Sequence, residues 1–163
     1  MNSNLPRPEE QLGPVLQCMR VLWGFDHALQ IASKQMEASL GITGPQRLVV
    51  RLVGRFPGIS AGELAELQRV HPSTLTGVLR RLQARGVLRR RSDPQDGRRA
   101  LFWLTAKGAK MNRSKIGTVE AAVEIALASV PNESVRGAYE TITAVLTALD
   151  RTRAAPKRRK SRP

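Results

Sequence analysis

Arginine is concentrated in one short stretch of this sequence, where its chemistry is the binding of anions. Residues 69–99 contain nine arginines and two aspartates, a net charge of +7. A guanidinium pairs bidentately with a phosphate or with the edge of a guanine base, so this density of arginine indicates a polyanionic partner. Residues 151–163 add seven cations and no acid. Because these two stretches account for the whole formal charge of +14, the charge is localised rather than spread for general solubility.

The first arginine-rich element is predicted to be a helix that exposes hydroxyls and guanidiniums. Pro72 suits its first position, His71 the cap before it and Gly86 its end. Four apolar residues share one face and are expected in the core: Leu75, Val78, Leu79 and Leu82. The other faces carry residues suited to a DNA groove: Ser73, Thr74, Thr76, Gly77, Arg80 and Arg81. An arginine that pairs with guanine contributes about 1–3 kcal/mol of discrimination, and a glycine removes bulk where a helix lies closest to the bases.

A basic β-hairpin is predicted directly after this helix. Residues 87–92 and 100–104 are strand-like runs, and the turn-rich tip between them is Asp93-Pro-Gln-Asp-Gly97. Arg98 and Arg99 follow the turn, where an arginine can enter a minor groove. The two tip aspartates, Asp93 and Asp96, are expected to position these guanidiniums as ion pairs.

Helices are predicted on both sides of this unit. A long helix over residues 9–40 ends at Gly41, and capping boxes at residues 43–46 and 60–63 begin the next two helices. After the hairpin, Thr105 is expected to cap one helix that runs to about residue 129, and a last helix covers residues 132–149. The fold class is therefore mainly α with a small β-hairpin wing, a winged helix-turn-helix.

Composition limits the class of protein further. One cysteine among 163 residues permits no intramolecular disulfide, and no apolar run is long enough to cross a membrane, so a cytoplasmic protein without a membrane partner is expected. Two histidines and one cysteine lack the spacing of a metal site. Paired carboxylates, a nucleophile with its base and a phosphate loop are also missing from the sequence, which argues against an enzyme and against a cofactor. His71 is interpreted as a cap or phosphate contact rather than a sensor, and His27 as structural.

Residues 44–108 resemble the winged-helix core of the MarR family of bacterial transcriptional regulators. The resemblance depends on the run STLTGVLRRLQARGVL, the wing tip DPQDGRR and the exit LT-x-x-G into the next helix. It implies DNA contacts from the recognition-helix residues Ser73, Thr74, Thr76, Arg80 and Arg81, and from Arg98 as the wing arginine. Gly97 separates Asp96 from Arg98, which leaves open whether Arg98 or Arg99 enters the groove.

The family's organisation implies a domain over residues 9–150, between a flexible leader at 1–8 and a disordered basic tail at 151–163. Its DNA-binding core would be 42–108, and the helices at 9–40 and 109–150 would form a homodimer. The apolar stripes of those helices favour the same pairing, which would place two recognition helices on a pseudo-palindromic double-stranded operator.

The resemblance also implies a repressor whose DNA affinity falls when a small aromatic or amphipathic effector binds between the dimerisation helices and the DNA lobe. Trp23, Phe25 and Trp103 are candidates to line such a pocket, with core packing as the alternative for each. Some relatives sense peroxides through a cysteine on the leading helix, but Cys18 lacks their nearby tyrosines and is expected to be a small buried residue. The rival function is a nonspecific architectural nucleic-acid-binding protein that uses the arginine-rich segment and the basic tail.

Overall fold

Seven helices and three short strands make up the part of the chain, residues 11–154, that this computed structural model describes. The helices are α1 (Pro14–Leu40), α2 (Gly44–Arg55), α3 (Ala61–Gln68), α4 (Pro72–Ala84), α5 (Ala106–Arg113), α6 (Val119–Ala128) and α7 (Asn132–Ala154). The strands are β1 (Ile59–Ser60), β2 (Leu88–Ser92) and β3 (Ala100–Leu104). The leader at 1–8 and the tail beyond residue 154 lie outside the described residues. Within the described part, no helix has both the length and the apolarity that crossing a bilayer requires.

Local capping fixes where the central helices begin. Thr43 accepts from the backbone N–H of Gln46, and the Gln46 side chain accepts from the N–H of Thr43, which closes the predicted box. Ser60 and Glu63 make the same reciprocal pair at α3. Such caps satisfy N–H groups that have no partner inside the helix. The predicted starts of α2, α3 and α4 are therefore confirmed.

Three helix predictions were wrong in their extent. The segment expected as one helix over 105–129 is two helices, α5 and α6, separated by residues 114–118. Gly117 adopts a left-handed φ of +70°, and the Thr118 hydroxyl accepts from the N–H of Ala121, so the chain stops one helix and caps the next. The first helix begins at Pro14 rather than residue 9, after Gly13 in extended conformation. The last helix, predicted to end at residue 149, continues to Ala154, so residues 151–154 of the tail predicted to be disordered are helical.

A three-stranded antiparallel sheet carries the wing, in the order β1-β3-β2. Sequence analysis predicted β2 and β3 but not β1. Within the β2–β3 pair, Leu88 lies opposite Leu104 and Arg90 opposite Phe102, while Arg89 lies opposite Trp103. Leu88 and Phe102 are buried against the helices, so alternation directs Arg89 and Trp103 to the other face of the sheet.

The chain divides into two compact units, residues 1–121 and 122–163. The first unit has a core in which α2, α3, α4 and the sheet bury aliphatic side chains, among them Val50, Val53, Leu64, Leu75 and Leu82. The second unit contains most of α6 and α7, and its large apolar residues remain exposed, including Ile125, Tyr139, Ile142, Leu146 and Leu149. No described residue of this unit, up to residue 154, covers that apolar surface, an arrangement typical of a helix pair that binds a partner.

Candidate nucleic-acid interface

Helix α4 is divided into a buried face and an exposed one, as its sequence predicts. Its four apolar residues, Leu75, Val78, Leu79 and Leu82, are each at most 8% exposed. The predicted groove-facing residues are exposed except for Gly77, which is half-buried: Ser73, Thr74, Thr76, Gly77, Arg80 and Arg81. The burial of one face therefore fixes the rotation of the helix and presents the other face to solvent.

Hydrogen bonds at the start of α4 orient its hydroxyl groups. The Nδ1 atom of His71 accepts from the backbone N–H of Ser73 at 3.3 Å and lies 2.7 Å from the Ser73 hydroxyl oxygen. The Thr76 hydroxyl donates to the carbonyl of Pro72 at 2.8 Å. Because this hydroxyl has already donated its proton, its lone pairs are directed outward as acceptors. The structure therefore gives His71 the capping role that its position predicts.

Gly77 leaves open space on the exposed face of α4. A Cβ atom built there would meet only Nη1 of Arg81, at 3.9 Å. The packing of this chain therefore does not require a glycine at position 77, although mid-helix glycine costs about 1 kcal/mol relative to alanine. The space is consistent with close approach by a partner molecule.

The wing tip is organised by its two aspartates. Asp93 accepts from the N–H of Gln95 at 2.9 Å, and Asp96 accepts from the N–H of Arg98 at 3.0 Å. The Asp93 carboxylate also pairs with the Arg99 guanidinium at 3.8 Å, as expected. Asp96 was expected to form an ion pair as well, but its carboxylate caps the turn instead, because the tight turn brings the Arg98 N–H to it.

Arg99 has a second acidic neighbour that sequence analysis missed. Its Nη2 atom lies 3.6 Å from Oε2 of Glu63, at the start of α3. The pKa of Glu63 is lowered mainly by the hydrogen bonds from the Ser60 hydroxyl and backbone, against a small opposing effect of burial, with the Arg99 charge contributing last. Arg98 has no ion-pair partner within the described chain. The two wing arginines are thus distinguished: Arg99 is bound within the protein, and Arg98 is unpaired.

A buried arginine is the main polar feature that the sequence did not predict. Arg47 of α2 is 1% exposed, and its Nε atom donates to Oε1 of Glu120 at 2.7 Å. Its Nη atoms donate to the carbonyls of Met111 and Ser114. The only sequence signal is its position three residues before Val50 on the apolar face of α2. Arg47 therefore binds the segment that joins α5 to α6.

Glu120 stays ionised in this network. Burial alone would raise its pKa, but the hydrogen bonds from Arg47 and from its own backbone N–H, with the charges of Arg47 and Arg51, outweigh that effect and lower the pKa. The carboxylate is about one-third exposed, at 31%. The pair is therefore a partly solvated salt bridge with one deeply buried partner.

The three residues proposed to line an effector pocket lie in different surroundings. Trp23 and Phe25 are exposed on α1, at 66% and 56%. Trp103 is half-buried in the sheet, where it contacts Arg89 and Arg91. A separate cavity of about 350 Å³ lies between α1 and the start of α2, and none of the three lines it. Its lining includes Leu29, Pro45, Leu48, Gln68, Val70 and Val119.

Comparisons with known proteins agree with this geometry. A model of the MarR family matches residues 40–99. The transcriptional regulator HosA of Escherichia coli O111:H- is 41% identical over 70 residues, which cover 43% of this chain and 52% of HosA. An HTH-type transcriptional repressor of Mycobacterium tuberculosis is 34% identical over 83 residues, covering 51% of this chain and 60% of the relative. The chain thus spans only about half the length of the curated relatives that it matches.

Solved structures match over a longer span. The PcaV transcriptional regulator from Streptomyces coelicolor, in complex with its natural ligand, superposes with a TM-score of 0.69 at 25% identity and covers 85% of this chain and 97% of PcaV. A MepR–DNA complex from S. aureus gives a TM-score of 0.68 at 19% identity and covers 80% of this chain and 96% of MepR.

The order of two short helices and a basic hairpin, with arginines on the exposed face of the second helix, defines a winged helix-turn-helix protein. Its winged-helix region, residues 40–99, matches the MarR family model. The resemblance inferred from the sequence is confirmed. Within residues 11–154, no group of three His, Cys, Asp or Glu residues is arranged to bind a metal ion.

Proposed function

We propose that this protein is a sequence-specific double-stranded DNA-binding transcriptional regulator that acts as a homodimer and represses in the absence of an effector. The exposed face of α4 is the observation that carries the proposal. That face presents hydroxyls, a glycine and two arginines, and within the described chain neither Arg80 nor Arg81 has an ion-pair partner. Guanidiniums that are free of internal partners are available to base edges and phosphates.

A regulator also needs a defined orientation on the duplex. Here α4 would lie in the major groove with its N-terminal residues toward the bases, and Arg98 at the wing tip would contact the adjacent minor groove. The partner would be double-stranded DNA with a pseudo-palindromic operator. Relatives named as transcriptional regulators and a neighbour solved with DNA support the same role.

The homodimer is supported by exposed apolar residues on two helices. On α7, Ile142 and Leu146 are 45% and 42% exposed, and on α1 the large side chains Trp23 and Phe25 are exposed as well. Burying such residues across a two-fold axis contributes about 25 cal/mol per Å² of apolar surface removed from water. Two recognition helices would then meet successive major grooves, about 34–36 Å apart.

Effector response is supported by the cavity between α1 and α2. Gln68 lines this cavity. Its Nε2 atom is buried and has no hydrogen-bond partner in the described structure. An unpaired buried donor costs about 1–3 kcal/mol, so a ligand that offers an oxygen acceptor would be favoured there. The remaining lining is mostly apolar but includes the carboxylate of Asp26, so it suits a small phenol better than an anionic aromatic acid. Such a ligand releases DNA only if it binds more tightly to a dimer whose recognition helices do not match successive major grooves than to the dimer that binds DNA.

The decisive experiment is selection of genomic fragments retained by the purified protein at physiological salt. A specific regulator should enrich one palindromic motif and prefer it over bulk duplex by about 10³-fold or more. A protein that retains all duplexes equally, and loses affinity when residues 155–163 are removed, would instead be the architectural protein. The selection therefore separates the two functions with one readout.

Effector binding is tested on the same protein by calorimetry with a panel of small aromatic acids and phenols. A binding compound should weaken operator affinity, and Gln68→Leu should reduce its binding. Gln35→Leu on the exposed side of α1 is the matched control, since Gln35 does not line the cavity. Equal binding by the two variants would exclude Gln68 as the donor.

A further inference from the structure

Two arginines of β2 share one indole ring on the outer face of the wing. The guanidinium carbons of Arg89 and Arg91 lie 5.8 Å and 5.9 Å from the ring centroid of Trp103. Strand pairing explains the arrangement, because Arg89 lies directly opposite Trp103 and Arg91 lies two residues further along the same face. Cation–π contact of this kind is worth about 0.5–1 kcal/mol at exposed sites, and it restricts where each guanidinium points.

The backbone at Gly58 fixes the position of the indole from the other side. A Cβ atom built on Gly58 would lie 3.2 Å from Cζ2 of Trp103, so the ring lies against bare backbone. Gly58 has a φ of +88°, and its N–H donates to the carbonyl of Phe102 at 2.8 Å, which ties this loop to β3. Trp103 is therefore a rigid platform, and the two guanidiniums that it orients are spaced along one strand edge.

Neither guanidinium is neutralised inside the described chain. The acidic side chains in and beside the wing already have partners. Asp93 of the wing and Glu63 of α3 pair with Arg99, and Asp96 caps the turn. Two like charges on one ring repel each other, and each guanidinium has five N–H donors that require acceptors. An arrangement that holds two cations together without a carboxylate suits an anionic partner with repeated charges.

The direction of the outer face of the sheet, which carries Arg89 and Arg91, indicates which part of a DNA duplex these arginines meet. Helix α4 packs on the opposite face of the sheet, where Leu88 and Phe102 are buried. Arg89 and Arg91 are therefore directed away from the groove that α4 would occupy. Their strand continues through Ser92 to the wing tip, so the outer face is continuous with the surface that carries Arg98. Alternate strand residues are about 6–7 Å apart, a spacing that lets each guanidinium meet its own phosphate along one strand.

We propose that Arg89 and Arg91, oriented by Trp103, bind the phosphate backbone of the duplex outside the operator half-site contacted by α4 and the wing tip. This proposal rests on the DNA-binding function proposed above. The contact adds affinity and lengthens the footprint without adding base preference, because phosphates carry no sequence information.

The test compares two duplexes that share one selected operator: one ends at the operator, and the other extends it by about ten base pairs on each side. The double variant Arg89→Ala/Arg91→Ala should lose roughly tenfold in affinity for the long duplex and little for the short one. Its salt dependence on the long duplex should fall by about two phosphate contacts per protomer. Arg55→Ala/Arg136→Ala removes the same charge from exposed positions outside the wing and should show neither effect.

Two further variants separate orientation from charge. Arg89→Lys/Arg91→Lys retains both charges without the planar stacking group, and Trp103→Leu removes the platform; each should give an intermediate loss that is confined to the long duplex. Circular dichroism and thermal unfolding establish whether each variant is folded. If Trp103→Leu is unfolded, Arg89→Lys/Arg91→Lys alone tests the role of orientation.

Equal losses of affinity by the double variant on both duplexes, or no loss on the long one, would overturn this proposal. The proposed function would still stand if the wild-type protein preferred the operator. A wild-type protein with no preferred duplex would overturn both.

Discussion

Arg47 and Glu120 form a salt bridge between α2 and the first turn of α6, with Nε of Arg47 donating to Oε1 of Glu120 at 2.7 Å. The arginine is 1% exposed, and its other N–H groups reach the carbonyls of Met111 and Ser114. Arg51 lies beside it and donates to the carbonyl and side chain of Asn112. This network connects the winged-helix core to the segment between α5 and α6 and to Glu120. Glu120 lies one residue before the end of the first compact unit.

Arg47→Ala should destabilise the first unit strongly. The substitution removes the Arg47 hydrogen bonds to the carbonyls of Met111 and Ser114 and to the Glu120 carboxylate. Breaking a buried pair in this way costs about 3–5 kcal/mol. Because Glu120 is partly solvated, the lower part of that range is expected. Urea unfolding measures the loss, with Arg55→Ala, an exposed arginine on the same helix, as control. Equal midpoints for the two variants would show that the network contributes nothing to stability.

The pH dependence of stability should reflect Glu120. Its pKa in the folded protein lies below the ordinary glutamate value of about 4.3. The ionised carboxylate therefore contributes its full stabilisation above that value, and the contribution is lost as pH falls through the lowered pKa. Glu120→Gln should be less stable than wild type at pH 7, and the gap should narrow as the pH falls below the ordinary glutamate pKa and through the lowered one. A gap that stays constant as the pH falls would contradict this assignment.

Features set by neighbouring residues could be predicted from the sequence, and features set by distant residues could not. The caps at Thr43, Ser60 and His71 involve bonds over two or three positions, so their pattern is visible in the chain. The donors of Arg47 instead reach acceptors 64 to 73 positions away, and no local pattern marks them. The two-residue strand β1 is defined only by its pairing with β3.

The break between α5 and α6 was not predicted, although the sequence contains a signal for it. Gly117 followed by Thr118 is a helix end followed by a cap, so the break between α5 and α6 could have been predicted. The proposed choice of Arg98 over Arg99 rests on the ion pair between Arg99 and Glu63, and nothing in the sequence indicated that Glu63 of α3 lies beside the wing.

Arg80→Ala tests base contact by the recognition helix. Arg80 is exposed on the face of α4 opposite the buried leucines, so its removal should cost about 1–3 kcal/mol of binding and relax preference at one base position per half-site. Affinities for the operator and for each single-base variant of it measure this effect, with Arg55→Ala as the control for charge. Uniform weakening across all sequences would restrict Arg80 to phosphate contact.

Arg98→Ala and Arg99→Ala should weaken DNA binding in different ways. Arg98 is unpaired within the described chain, so its removal should weaken DNA binding with little change in the wing. Arg99 pairs with Asp93 and Glu63, so its removal should speed amide hydrogen exchange at residues 93–99 and weaken binding indirectly. Each exposed pair is worth only about 0.2–1 kcal/mol, so local rather than global unfolding is expected. Arg99→Ala with unchanged exchange and the larger loss of affinity would reverse the two roles.

Ile142→Glu tests the proposed homodimer. Ile142 is 45% exposed on the apolar stripe of α7 that also carries Leu146 and Leu149, and a charge buried in an interface is strongly unfavourable. Sedimentation should detect monomers, and operator affinity should fall in parallel, because one recognition helix contacts only one half-site. Ala144→Glu places the same charge on nearly the opposite side of the helix and should leave both properties close to wild type. If Ile142→Glu sediments as a dimer and binds the operator normally, α7 does not supply the interface through this stripe.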